Sequence, residues 1–330
     1  MAVSLRPAEK LVDRRKEQPT KSPVHEKQLG GILSPLVEVL WRRIEDERMA
    51  PQFQRDLGLM KRQLRVVSRY TSLFSPEVKG LDNLPATGPV LLVGNHSGLF
   101  YMPDVFITGL AVVRRRGFDQ PFYGLAYDLL FVIPGIERLL RGLGAIPAGQ
   151  VQAEAALAQG ALVLVYPGGD YEACRPWSQR DRVDFGNHRG FVKLALRTQL
   201  PVVPVVAYGA HHTVVILSRG ERLAHVLGID RLRIKVFPIL LGPFGLTSVL
   251  TPPLPMPAAI TVEFLPALDW GGHGPQAADD DGLVTACYDE ITAVMQAALD
   301  RLRAEHPHPV VRGVTHLLRH GPSQVEVPAA

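Results

Sequence analysis

Val90-Leu91-Leu92-Val93-Gly94-Asn95-His96-Ser97-Gly98 is the stretch whose reading decides the fold. Four consecutive apolar residues make a short strand buried on both faces, as the strands of a parallel sheet are. Glycine then breaks the run, and a histidine stands just past the strand end. In an open α/β sheet that edge is where ligands bind. Asp104 follows eight positions after the histidine, behind Pro103. A histidine and a carboxylate held close together form a general base with its orienter.

Outward from this point, strand and helix patterns alternate. The pattern predicts strands over 90–93, 144–147, 161–166, 201–206, 232–237 and 260–265. It predicts helices over 103–114, 124–141, 151–159, 189–199 and 282–304. Such alternation is the mark of βαβ units, so the expected fold class is α/β, a mostly parallel sheet flanked by helices. An N-terminal helical pair precedes it. Leu33 to Arg48 repeats its apolar residues at helical spacing, and Pro51 to Tyr70 sets Lys61, Arg65 and Arg69 along one face. The expected organisation is a disordered arm over 1–28, amphipathic helices over 29–75, a catalytic domain over 76–305, and a C-terminal helix and tail over 306–330.

Composition narrows the function classes. A chain of 330 residues with 46% hydrophobic content has enough apolar material for a sizeable core. Cys174 and Cys287 make no disulfide framework, which fits a reducing, cytoplasmic-side setting. The spacings of structural zinc and zincin sites are absent, so no metal is expected. The net charge of +4 concentrates in the first seventy positions and at Arg114-Arg115-Arg116. No nucleic-acid-binding signature accompanies those cations, so no nucleic-acid partner is expected; an anionic membrane surface suits them better. Residues 1–30 lack the apolar core of a signal peptide. The most apolar segment, Phe237 to Met256, is too interrupted by proline and glycine for a spanning helix. It dips into a membrane, covers a substrate channel, or packs on the core as an irregular buried excursion.

Three more blocks carry chemistry. A buried strand ends in Tyr166-Pro167-Gly168-Gly169-Asp170-Tyr171-Glu172, where two glycines let a ligand approach the backbone and two acids follow. Arg189-Gly190-Phe191-Val192-Lys193-Leu194-Ala195 opens a helix, and Val202-Val203-Pro204-Val205 forms a buried strand that leads to His211-His212. The histidine pair has no carboxylate or cysteine at ligand spacing and reads as part of a turn.

The order of these motifs, over about 89–270, resembles the glycerolipid acyltransferase superfamily, which includes the lysophosphatidate acyltransferases. In motif style it is nearer the diacylglycerol acyltransferase and phytyl ester synthase branch. The Arg-Gly-Phe helix with its Val-Val-Pro-Val strand and the Pro-Gly-Gly-x-x-Glu block are its most specific parts. The resemblance implies acyl transfer from acyl-CoA or acyl carrier protein as co-substrate, with no further cofactor. It implies His96 as the base that deprotonates a lipid hydroxyl, Asp104 as its orienting acid, and Tyr166, Pro167, Gly168, Gly169, Asp170, Glu172 and Arg189 as substrate-binding residues. It implies a peripheral membrane enzyme of lipid metabolism on the cytoplasmic face.

Three departures matter. The acid lies at His+8 where the superfamily has His+5, so 97–102 reads as a loop insertion and Pro103 as the first helical residue, with Asp170 and Glu172 as substitute acids. Gly142-Leu143-Gly144-Ala145-Ile146-Pro147 lacks the arginine of phosphate-acceptor members; Arg141 stands just before it. Acids replace the cation that follows the proline-glycine turn in those members, with Arg175 and Arg189 close by in sequence. A neutral acceptor such as diacylglycerol or a long-chain alcohol follows. The alternatives are a lysophospholipid (1-acylglycerol-3-phosphate) acyltransferase and a non-catalytic lipid-binding protein of the same fold. A serine hydrolase using Ser97 is disfavoured because the Gly-x-Ser-x-Gly elbow is missing.

Overall fold

The computed structural model describes residue 53 and residues 55–133, 135–229 and 235–323. Among the described residues ten strands run in chain order: β1 (Glu77–Lys79), β2 (Val90–Gly94), β3 (Phe122–Ala126), β4 (Ala145–Pro147), β5 (Leu162–Val165), β6 (Val202–Tyr208), β7 (Val215–Ser218), β8 (Ile239–Gly242), β9 (Gly245–Ser248) and β10 (Thr261–Phe264). The helices are α1 (Leu57–Thr71), α2 (Pro103–Arg116), α3 (Ile136–Gly142), α4 (Gln150–Ala158), α5 (Gly169–Ala173), α6 (Gly190–Thr198), α7 (Glu221–Val226), α8 (Asp281–Glu305) and α9 (Pro309–His320).

Seven strands form one sheet in the order β1-β10-β6-β2-β5-β3-β4, parallel except where β10 runs against β6. β2 lies at its centre, and every residue of β2 and β6 is buried. Alternate side chains serve opposite layers. Leu91, Val93, Val163, Val202 and Val206 pack with α4, α6 and α8 on one face. Val90, Leu92, Leu162, Leu164, Val203 and Val205 pack with α2 and the inner side of α1 on the other. Continuous apolar strands are therefore what a sheet covered on both faces requires.

The expected helix over 124–141 is replaced by β3, a short turn of 3₁₀ helix at Asp128–Val132, and α3. Phe122 and Tyr123 suit a pleated strand, and Pro134-Gly135 cannot lie inside a helix. Of the strand expected over 232–237, residues 232–234 lie outside the described ones and 235–237 form no strand. The helix expected over 33–48 and the arm over 1–28 also lie outside the described residues. β1 and the antiparallel sheet β7-β8-β9 were not anticipated.

That small sheet matters for position. Val214, Ile216, Val236 and Leu240 pack with Leu99 and Cys174, so it rests on the chain just beyond the β2 turn. Two of the three arginines at the end of α2 are structural: Arg115 donates to the Leu84 carbonyl and Arg116 to that of Gly88. They cap the chain before β2, which leaves less of this cluster for an anionic surface than its sequence suggests. No helix among the described residues is long and apolar enough to cross a membrane.

Candidate active site

The site grows out of the end of β2. Gly94 is glycine because the Tyr166 ring lies against it: a Cβ there would come within 2.5 Å of that ring. Asn95, fully buried, continues the ladder with its side chain. Its Oδ1 accepts from the Ala207 amide at 2.7 Å, and its Nδ2 donates to the Ala207 carbonyl at 3.1 Å. The turn is thereby fixed to β6, and His96 emerges at the sheet edge with 13% of its side chain exposed.

The chain then curls back on itself. Gly98 (φ 81°), Leu99 (φ 54°) and Met102 (φ 45°) all take the left-handed conformation. For Leu99 and Met102 this costs on the order of 1 kcal/mol or more each. Tyr70 holds the loop by donating to the Tyr101 carbonyl at 2.8 Å, and Tyr101 in turn donates to the Pro253 carbonyl. Pro103 begins α2, and Asp104 in its first turn is fully buried. The result is a contact of 2.9 Å between His96 Nδ1 and Asp104 Oδ2, the same oxygen accepting from the Ser97 amide at 2.8 Å. The six residues of the 97–102 loop therefore carry the acid back to the histidine.

Burial alone would lower the His96 pKa. The Asp104 charge and hydrogen bond, with Glu172 behind them, outweigh it, and the net shift is upward from the usual 6.5. The Tyr166 ring lies 4.9 Å from the imidazole, and burial beside Asp104 raises its hydroxyl well above the ordinary tyrosine range.

Behind the histidine lies a buried ion pair. Gly168 lets α5 fold tightly, since a Cβ there would fall 2.4 Å from that of Glu172. Glu172 therefore turns inward. One carboxylate oxygen accepts from the His96 amide at 2.8 Å, the other from the Asp184 amide at 3.1 Å. Arg175, also buried, lies 3.7 Å from the Glu172 carboxylate and donates to the His96 carbonyl at 2.7 Å. It donates further to Ser97 Oγ at 2.7 Å and to the Arg180 carbonyl at 3.2 Å. The peptide groups on both sides of His96 are thus clamped by opposite charges. Burial pushes the Glu172 carboxyl up to about 7, against the pull of Arg175 and the two amides. His211 Nε2 donates to the Arg175 carbonyl at 2.9 Å, which places the histidine pair in this support.

The candidate residues thus separate. His96, Asp104 and Tyr166 meet. Glu172 touches the His96 backbone from behind instead of facing the open side. Asp170 is exposed, and its carboxylate accepts from the Tyr171 amide at 2.9 Å. Pro167, Gly168 and Gly169 form the turn between Tyr166 and α5. Arg189 runs to Asn187 at 2.8 Å, Thr285 at 2.6 Å and the Tyr288 ring, joining α6 to α8. Arg175 and Asn95 went unassigned in the sequence. The opposite charges three residues apart in Glu172-x-x-Arg175 are the signal that pointed to the first.

Several known proteins are similar to this chain in sequence or fold. Residues 75–208 match the Acyltransferase family. An uncharacterized protein of Mycobacterium tuberculosis (strain H37Rv) is 27% identical over 278 residues, 84% of this chain and 75% of that protein. The "DGAT1/2-independent enzyme synthesizing storage lipids" of Bos taurus is 27% identical over 195 residues, 57% of this chain and 55% of that protein. The chain thus spans about half the length of the latter. Among solved structures, the 1-acyl-sn-glycerophosphate (LPA) acyltransferase PlsC of Thermotoga maritima superposes with a TM-score of 0.45 at 17% identity, over 82% of this chain and 98% of that one. The matched residues, 75–208, run from the approach to β1 to the end of β6 and hold His96, Asp104 and the Pro-Gly-Gly turn.

Proposed function

We propose that the chain is an O-acyltransferase that moves a fatty acyl group from acyl-CoA or acyl carrier protein to the hydroxyl of a neutral lipid. The observation that carries this reading is the 2.9 Å contact between His96 and the buried Asp104 at the end of β2. Asp104 accepts from Nδ1–H, which leaves the Nε2 lone pair free to take a proton. Nε2 removes the proton of the acceptor hydroxyl as its oxygen attacks the thioester carbonyl. The tetrahedral adduct then expels the thiolate, which recovers that proton from Nε2, and the ester departs. Asp104 keeps its charge throughout and stabilises the imidazolium.

A neutral acceptor is supported by the state of the nearby arginines. Arg175 spends its guanidinium on the Glu172 carboxylate, Ser97 and three carbonyls, and Arg141 is buried against Glu137 and the Phe131 ring. Arg189 is taken by Asn187 and Thr285. The Bos taurus relative, named for storage-lipid synthesis, points the same way. The test is purified protein with radiolabelled acyl-CoA and a panel of diacylglycerol, long-chain alcohol and lysophosphatidate at equal concentration. Greater labelling of a neutral acceptor is expected. A clear preference for lysophosphatidate would overturn the acceptor class, and no transfer to any lipid would overturn the activity.

The pH dependence follows from the His96 environment. The base acts only as the neutral imidazole, and its pKa is raised, so kcat/KM climbs with pH through a value above 6.5. Asp104→Asn removes the charge that raises it. The acid limb then moves to lower pH while the plateau rate falls, by less than for loss of His96 itself. A rate profile whose limb stays in place in Asp104→Asn would remove the carboxylate from its orienting role.

A further inference from the structure

No charged residue stands between Lys235 and Glu263. The structure folds the first part of this segment into the β8–β9 hairpin, with Gly242 paired to Gly245 around Pro243-Phe244. Its inner side carries Leu240, fully buried against Leu99, Val214 and Ile216. Its outer side carries the cross-strand pair Leu241 and Leu246. Phe244 at the tip is 104% exposed, Leu246 74%, Leu250 77% and Leu254 91%. Single exposed apolar residues need no explanation, but a hairpin apolar on both faces and at its tip does.

We propose that this hairpin, with the chain through Leu254, inserts into the acyl region of a lipid bilayer beside the catalytic turn. Three features favour lipid over a protein partner. The segment has no charge to desolvate. Its tip is convex and aromatic, suited to a deformable apolar medium. Its backbone is also prepared for such a medium: the hairpin pairs its own amides, and Pro252, Pro253, Pro255 and Pro257 remove donors from the irregular stretch that follows. The wedge is joined to the site through Tyr101, which donates to the Pro253 carbonyl, and through the Met256 amide, which donates to the Thr213 carbonyl at 2.7 Å. The proposal rests on the acyl-transfer reading only for its choice of a lipid, and it is tested by binding without turnover.

The experiment uses the full chain and vesicles of phosphatidylcholine alone, in high salt, where electrostatic attraction is screened. Phe244→Trp places the only new reporter at the tip. On addition of vesicles, its emission is expected to shift to the blue and to be quenched by phosphatidylcholine brominated on the acyl chains. Phe244→Asp with Leu246→Asp is expected to weaken co-sedimentation by tenfold or more with no change in melting temperature; Phe244→Ser serves if the double variant does not fold. Unchanged co-sedimentation of the folded variant, or a tip tryptophan whose emission vesicles leave unmoved, overturns the proposal. So does light scattering that shows a dimer broken by Phe244→Asp in the absence of vesicles, since the surface then meets a second copy of the chain. Because His96→Ala binds vesicles as wild type does if the hairpin is the anchor, loss of insertion and loss of acyl transfer are separate results.

Discussion

Replacing His96 by alanine lowers acyl transfer by about two to four decades and leaves the protein folded. The large effect on rate comes from chemistry. An alcohol is a poor nucleophile at neutral pH, and no other described side chain shares the contact that prepares His96 as a base. The small effect on folding comes from the backbone. Alanine keeps the amide that Glu172 accepts from and the carbonyl that Arg175 donates to, and Asn95 still fixes the turn to β6. Asp104 loses one partner but keeps the Ser97 amide, a loss of about 1–3 kcal/mol. The measurement is kcat/KM with acyl-CoA and the best acceptor of the panel, beside a thermal melt. A folded His96→Ala protein that turns over near the wild-type rate would sink the mechanism.

Arg175→Met has the largest expected effect on stability. Methionine fills much of the same space, so packing is nearly kept, yet it strands the fully buried Glu172 carboxylate and abandons the His96 carbonyl, Ser97 Oγ and the Arg180 carbonyl. Removing one partner of a buried pair costs about 3–5 kcal/mol, which lowers the melting temperature by on the order of 10 °C in a chain of this size. Arg175→Lys recovers little of it, because a single ammonium cannot reproduce donors to several acceptors at once. Adding Glu172→Gln to Arg175→Met restores part of the loss by removing the stranded charge. If Arg175→Met melts within about 2 °C of wild type, the ion pair is not what holds the histidine turn.

Much of this was legible in the sequence, for reasons that differ by element. β2, β5 and β6 are buried on both faces and advertise it as unbroken apolar runs; α2, α4, α6 and α8 carry apolar stripes at helical spacing. β3 is hidden because Tyr123 and Leu125 also fit a helical stripe, and only Pro134-Gly135 in the sequence argues against one continuous helix there. β1 and β9 are too short or too exposed to leave a period-two trace. At the site, His96 was visible from its place after a strand, and Asp104 from Pro103 at a helix start. The inward turn of Glu172 was not, since it depends on Gly168 allowing a close approach that no local pattern encodes. Arg175 was obscured for the same reason: its partners lie in three different parts of the chain.

The left-handed residues between His96 and Asp104 have a consequence beyond the pair itself. The acid is held by the start of α2 and the histidine by the end of β2; Ser97 joins the site through its amide and hydroxyl, and the residues after it close the gap. Here Leu99 and Tyr101 use that length to reach the β7-β8-β9 sheet and Pro253. The spacer thus ties the catalytic pair to the small sheet and to Pro253 while leaving the contact it spans intact.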